Sequence, residues 1–208
     1  MIPDIQGKKL LDLGCGFGWV CRWARQQGAT LAVGLDISEK MLEKAKEFPE
    51  DVAIKYQRAD LETVELPVEE YQVVFSSLTL HYLKNLSEVV RRIFEALTPG
   101  GSFVFSAEHP IWTAPRNPSF ILDSQGESIW PLDGYLDEGP RIRNWLADGV
   151  EKQHRTLSGY INILISVGFV LSAIEEWGPG VELIKEMPQW ANERKRPMFF
   201  FIKAVKPI

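Results

Sequence analysis

The sequence predicts a single α/β domain, doubly wound around a mostly parallel sheet. Two observations carry this expectation. Short β-branched runs alternate with amphipathic helical stretches from Lys9 to Ser106, the pattern of a parallel sheet with helices on both faces. Three of the early runs also end in chemistry-bearing residues: a glycine cluster after the first, Asp36 after the second and Asp60 after the third. Open α/β sheets bind ligands along the C-terminal edge of their strands, so function is expected there.

The elements follow in order. Lys9 to Leu13 reads as a buried strand running into Gly14-Cys15-Gly16-Phe17-Gly18. The next helix is expected to reach about Gln27, with Gly28 as its C-terminal cap. Leu31 to Leu35 is a second strand, ending at Asp36. Ser38 is the expected N-cap of a helix that carries Met41, Leu42 and Ala45 at helical spacing. Val52 to Gln57 and Tyr71 to Phe75 are strands three and four. Ser87 opens a helix with an apolar face of Val89, Val90, Ile93, Phe94 and Leu97, stopped by Thr98-Pro99-Gly100-Gly101. Ser102 to Ser106 is strand five. Residues 108–150 then lose periodicity while holding five prolines and three tryptophans. So long an aromatic segment is expected to be functional rather than disordered, an inserted cap and acceptor-binding segment over a pocket. Thr156 to Val167 is again helical, ended by Gly168, and Phe169 to Glu175 and Met198 to Val205 are two closing strands.

Composition narrows the function classes. At 208 residues, with 45% apolar and 25% charged side chains, the chain fits one folded domain. The 23 basic and 28 acidic residues leave a net charge of −5, which gives no long-range attraction to phosphate backbones. No nucleic-acid partner is expected, despite the local run Arg194-Lys195-Arg196. Cys15 and Cys21 make no disulfide framework, and MIPDIQGKK lacks a secretion-signal pattern. The longest apolar stretch, Ile161 to Ile174, is broken by Asn162, Ser166, Gly168 and Ser172 and is too short and polar to span a membrane. A cytoplasmic protein without membrane partners is expected; its oligomeric state is not readable.

The sharpest signal is LDLGCGFGW. Closely spaced glycines between a strand and a helix let backbone N–H groups approach a ligand with no Cβ in the way. Alone this is weak, since many α/β proteins turn this way. Asp36 adds a carboxylate placed to accept both hydroxyl protons of a ribose, and Asp60 a second acid for the exocyclic amino group of an adenine. A nicotinamide dinucleotide site is the competing reading. It wants G-x-G-x-x-G, and position 19 is Trp.

LDLGCGFGW, GLDIS, RADLE, YQVVFSSLTLHYL and LTPGGSFVFS occur in the order of the class I S-adenosylmethionine (SAM)-dependent methyltransferases, and the chain resembles their small bacterial methyltransferase-domain branch over residues 8 to 108. HRTLSGYINILISVGF and the two final strands resemble the later part of that family more loosely. The resemblance implies a Rossmann-like, seven-stranded sheet with the last strand antiparallel. It also implies that Gly14, Cys15, Gly16 and Gly18 approach the amino-acid end of SAM and that Asp12 helps bind its ammonium. Asp36 would hold the ribose, Ile37 and Met41 would pack on the adenine, Asp60 and Leu61 would read its edge, and Ser76 would lie near the methionine moiety. Such enzymes usually carry a cofactor-covering helix ahead of the glycine loop. Here the loop begins at Gly14, so either the 108–150 segment takes over that role or SAM binding is weakened.

On the acceptor side, His81 follows strand four, Glu108 and His109 follow strand five, and His154 precedes the next helix. These four are the expected catalytic residues, with Glu108 or His109 orienting or deprotonating the acceptor. A site holding a metal on the three histidines and Glu108 lacks short-range ligand spacing, and no metal is expected. Trp112, Trp130, Tyr135 and Trp145 either wall an apolar or cationic substrate or form the insert's own small core. Arg141, Arg143 and Arg155 either pair an acidic substrate or are solvated surface. The expected function is methyl transfer from SAM to a small-molecule acceptor. The alternatives are a SAM-binding module without transferase activity and, third, an NAD(P)-dependent oxidoreductase.

Overall fold

Leu10 and Leu11 enter opposite cores, and this alternation sets the layers of the molecule. The computed structural model describes residues 1–145 and 147–208, the side chains of 144–148 excepted. In β1 (Lys9–Leu13) every residue after Lys9 is buried. Leu11 and Leu13 join Val74, Phe103, Phe105 and Phe200 on one face, while Leu10 joins Ile5, Val20, Ala24, Val73 and Val104 on the other. A strand buried on both faces reads as a near-continuous apolar run, which is why LLDL was recognisable.

The chain continues through α1 (Trp19–Gln26), β2 (Leu31–Asp36), α2 (Glu39–Lys46), β3 (Ile54–Arg58), β4 (Tyr71–Ser77), α3 (Leu86–Ala96) and β5 (Leu97–Glu108). The later part holds α4 (Pro110–Thr113), a short ribbon of β6 (Ile121–Leu122) and β7 (Ser128–Ile129), and a hairpin of β8 (Gly139–Trp145) and β9 (Ala147–His154). Then come α5 (Leu157–Val167), β10 (Val170–Trp177), α6 (Val181–Glu186) and β11 (Phe199–Val205). The seven-stranded sheet has the order β10-β11-β5-β4-β1-β2-β3. β1 to β5 run parallel, and β11 is antiparallel to both β5 and β10. All five parallel strands therefore end on one edge, and the glycine loop, Asp36, Asp60 and Glu108 follow or close them there. Among the described residues no helix is long and apolar enough to cross a membrane.

The predicted helix ends hold where their chemistry is local. Ser38 Oγ accepts from the Met41 amide at 3.4 Å, Thr156 Oγ1 accepts from Gly159 at 2.9 Å, and Gly168 closes α5 with φ +108°, all standard terminus chemistry. Two expectations need correction. The third helix stops at Ala96, and β5 starts at Leu97 rather than Ser102. Leu97 pairs with Tyr71, and the sheet register shifts before Val73 meets Ser102, an irregularity of the kind that tolerates Pro99 within a strand. The aperiodic segment also contains a long hairpin, which runs to His154, beyond residue 150. Its strands carry few apolar side chains, and Ile142 is exposed, so no inward-outward alternation betrays it.

Candidate functional site

The loop after β1 is tied to the tip of β2. Leu35 O accepts the Gly14 and Cys15 amides at 2.8 and 3.0 Å, and Asp36 Oδ2 accepts the Gly16 amide at 2.8 Å while Oδ1 accepts Ser38 at 2.8 Å. The loop's glycines have different reasons to be glycine. Gly14 sits at φ +75°, and a Cβ there would lie 2.1 Å from Thr79 Oγ1. Gly16, at φ +53°, would carry a Cβ with nothing within 4 Å. The first glycine seats the tip of β4 against the loop; the second leaves an open cradle on which a ligand can rest.

Asp12 is 2% exposed. Burial, and then the charge of Asp36, push its carboxyl up to about 7. The Cys21 thiol stands 3.9 Å from Asp12 Oδ2. Both cysteines are buried and unbridged, and burial raises both thiols, making them inert packing groups. Ser76 is fully buried and donates to Leu13 O at 2.9 Å, fastening β4 to β1. Asp60 Oδ1 accepts the Glu62 amide at 2.9 Å and so shapes its own turn. Ile37 and Met41 are 62% and 45% exposed, apolar side chains left facing solvent beside the acids.

A cleft of about 650 Å³ opens between these tips, within the range of small-ligand sites. Gly14, Asp36, Ile37, Asp60 and Leu61 line it, as do Thr79, Tyr82, Leu83 and Lys84. Sequence reasoning passed over the last four. Their signal was available, because they directly follow β4 in SSLTLHYLK, where only Ser76 and His81 had been singled out. The preceding Leu78 holds φ +52°, a left-handed conformation costing roughly 1–2 kcal/mol for a residue with a side chain. Its amide donates to Ser106 O at 3.0 Å. That bond holds the kink that carries Thr79 to Gly14.

The three histidines are buried and partnered. His81 Nδ1 accepts the Glu108 amide at 3.4 Å, and the ring packs 4.4 Å from that of Tyr82. Burial, then the charges of Lys152 and Arg155, drive its pKa down to about 3, so it is neutral. His109 Nδ1 caps α4 by accepting Ile111 N at 3.1 Å, which makes Nε2 the donor to Glu176 at 2.8 Å. His154 Nδ1 lies 2.7 Å from Thr113 Oγ1, and Nε2 lies 2.9 Å from Tyr135 O. The backbone carbonyl can only accept, so Nε2 carries the proton and the threonine hydroxyl donates to Nδ1. Burial lowers the pKa of both His109 and His154. Among the described residues no group of three His, Cys, Asp or Glu stands close enough to hold a metal ion. Glu108 Oε1 pairs with Lys152 Nζ at 2.5 Å, while its buried Oε2 has no hydrogen-bond partner among the described residues.

The insert's aromatic residues surround a cation of the protein itself. Trp112 and Trp130 stack at 5.1 Å, and the Arg196 guanidinium sits 4.3 and 4.1 Å from their rings and 5.3 Å from Phe120. Tyr135 packs edge-on against His154 at 6.0 Å; the Trp145 side chain lies outside the described residues. Arg141 donates to Asp137 O at 2.6 Å, Arg143 to Thr113 O at 3.3 Å, and Arg155 to Leu83 O at 2.5 Å. All three arginines serve backbone carbonyls.

Residues 11–105 match the family model described as Methyltransferase domain. The whole fold agrees: over 99% of its length the chain is 46% identical to an S-adenosylmethionine-dependent methyltransferase from Mesorhizobium loti, covers 94% of that chain, and superposes with a TM-score of 0.95. The chain belongs to the class I SAM-dependent methyltransferases. This methyltransferase is also 30% identical over 105 residues to a malonyl-[acyl-carrier protein] O-methyltransferase from Enterobacter lignolyticus. It is 33% identical over 123 residues to a ubiquinone biosynthesis O-methyltransferase from Pseudomonas fluorescens. The alignments take in 50% and 57% of this chain but only 41% and 50% of those two enzymes. The alignments thus span about half of this chain and half or less of those two enzymes. SAM is its cofactor, and the open Gly16 cradle beside acids at two strand tips fits such a nucleoside.

Proposed function

We propose that this methyltransferase binds SAM in the cleft between β1, β2, β3 and β4 and methylates an oxygen of a small-molecule acceptor at the tips of β4 and β5. The observation that carries the reading is the Asp36 carboxylate, which both lines the cleft and holds the amide of Gly16. Asp36 receives the ribose hydroxyls, Ile37 and Met41 cover the adenine, Asp60 and the Leu61 backbone read its edge, and Asp12 with the Gly14–Gly18 backbone takes the amino-acid end.

Bound SAM supplies a methyl group already activated by the sulfonium charge, so the protein's task is alignment and exclusion of water. Glu108 stands at the end of β5 with one oxygen on Lys152 and the other unpartnered. It is the acceptor-side carboxylate, suited to receive a hydroxyl proton. His81, His109 and His154 hold the acceptor wall through bonds at their ring nitrogens, and the 108–150 segment caps the pocket. The two O-methyltransferase relatives favour an oxygen acceptor, and the net charge of −5 favours a small molecule over a nucleic acid. Its place of action is the cytoplasm. Incubation with methyl-labelled SAM and a panel of phenols, carboxylic acids and alcohols tests the proposal. Label in one of these products supports it; SAM binding with no transfer to any of them contradicts it and favours a SAM-binding module.

A further inference from the structure

We infer that Arg155 and Glu62 form a clasp that positions the wall of the SAM cleft and links it to the end of the β8–β9 hairpin. This rests on the proposed placement of SAM in that cleft. Arg155 follows directly on β9 and is 9% exposed. Its Nη2 donates to Leu83 O at 2.5 Å and to Lys84 O at 2.9 Å, and both residues line the cleft. From the other side, the Lys84 amide donates to Glu62 Oε1 at 2.6 Å. The Glu62 carbonyl is in turn held at 2.8 Å, and that of Leu61 at 3.0 Å, by Arg92 Nη2 from α3. Leu61 and Glu62 also line the cleft.

One line of charge-assisted bonds thus runs from α3 through the loop after β3 to the loop after β4, and on to the chain leaving the hairpin. The two N–H groups of one guanidinium nitrogen suit two neighbouring carbonyls, so Arg155 pins the short connection between the turn Leu80–Tyr82 and α3. Arg155 acts through Leu83 and Lys84, which makes it a positioning residue. A loop held in place before the ligand arrives spares binding the cost of ordering it.

Calorimetric SAM titrations of the full chain, together with melting curves without SAM and kinetics, test the clasp. Arg155→Ala is expected to weaken SAM binding about tenfold, the scale of losing a charge-assisted hydrogen bond. KM for SAM should rise in step while kcat stays within about threefold. Arg155→Lys should recover part of the affinity. Glu62→Ala should weaken SAM binding as well, and Glu62→Gln, whose amide oxygen still accepts the Lys84 N–H, should lose clearly less than Glu62→Ala. Because both groups act through Lys84, the losses in the double alanine variant should fall short of their product. SAM binding within twofold of wild type in both single alanine variants, or fully multiplying losses, would overturn the clasp alone. A wild-type protein that binds no SAM would overturn the cleft assignment and the positioning role with it. Should Arg155→Ala fail to fold, the Glu62 pair decides.

Discussion

Asp36 Oδ2 accepts the backbone amide of Gly16 at 2.8 Å, so the acid that closes β2 and the open glycine of the β1 loop form one unit. The same carboxylate faces the cleft. Asp36→Ala removes both roles and is expected to weaken SAM binding at least about tenfold, since bonds to a charged group contribute roughly 1.5–3 kcal/mol each. Asp36→Asn keeps one acceptor and should lose less. Calorimetry on the two variants checks the order.

The glycines should separate stability from binding. Gly14→Ala drives a methyl to 2.1 Å from Thr79 Oγ1 at a positive φ and should lower the melting temperature markedly, by a destabilisation of about 2 kcal/mol or more. Gly16→Ala meets no protein atom within 4 Å. It should cost roughly 1 kcal/mol of backbone strain yet lose most SAM affinity, because its methyl fills the cradle. Equal affinity losses at matched stability would speak against the cradle.

Burial holds Asp12 up to about 7, and an ammonium bound beside it favours the carboxylate. Below pH 7 binding must expel that proton, so SAM affinity should rise with pH by up to about tenfold per unit and level off above pH 7. Titrations in buffers of different ionisation enthalpy should show proton release, and Asp12→Asn should abolish it. The same shift has an opposite face in the free protein. Between the ordinary value of 3.8 and about 7 the folded state keeps a proton that the unfolded chain releases, so this group's contribution to stability falls as pH rises. His81 works the other way: below 6.5 the unfolded chain gains a proton that the folded state refuses until about pH 3, so stability falls on acidification. Melting curves of Asp12→Asn should lose the Asp12 limb and keep the acid limb, to which His109 and His154, also lowered by burial, contribute with His81.

His109 caps α4 with one nitrogen and holds Glu176 with the other. His109→Ala should cost roughly 1–3 kcal/mol of stability, and it should lower turnover more than SAM affinity because it supports the acceptor wall. A variant with unchanged melting and a proportional loss of SAM binding would place His109 at the nucleoside instead.

The cofactor half was legible in the sequence because its signals are local. A buried β1 reads as an unbroken apolar run, Ser38 and Thr156 cap within three residues, and Asp36 and Asp60 stand at strand ends. The acceptor half was less legible because its determinants are tertiary. That Arg196 would pack against the stacked pair of Trp112 and Trp130 depends on a contact across more than sixty positions, and nothing in either segment announces it. The histidines were found by topology, but their partners Thr113, Tyr135 and Glu176 come from a helix, a turn and a strand far apart in sequence. Thr79 and Leu83 were overlooked for a simpler reason: neither is titratable, and both act by shape and backbone.

A crystal structure with S-adenosylhomocysteine tests the central claim most directly. Ribose hydroxyls within about 3.2 Å of the Asp36 carboxylate, with the adenine between Ile37 and Leu61, are the predicted result. A nucleoside seated elsewhere, for instance in the depression beside Phe48 and Tyr56, with Asp36 touching only Gly16 and Ser38, would contradict it.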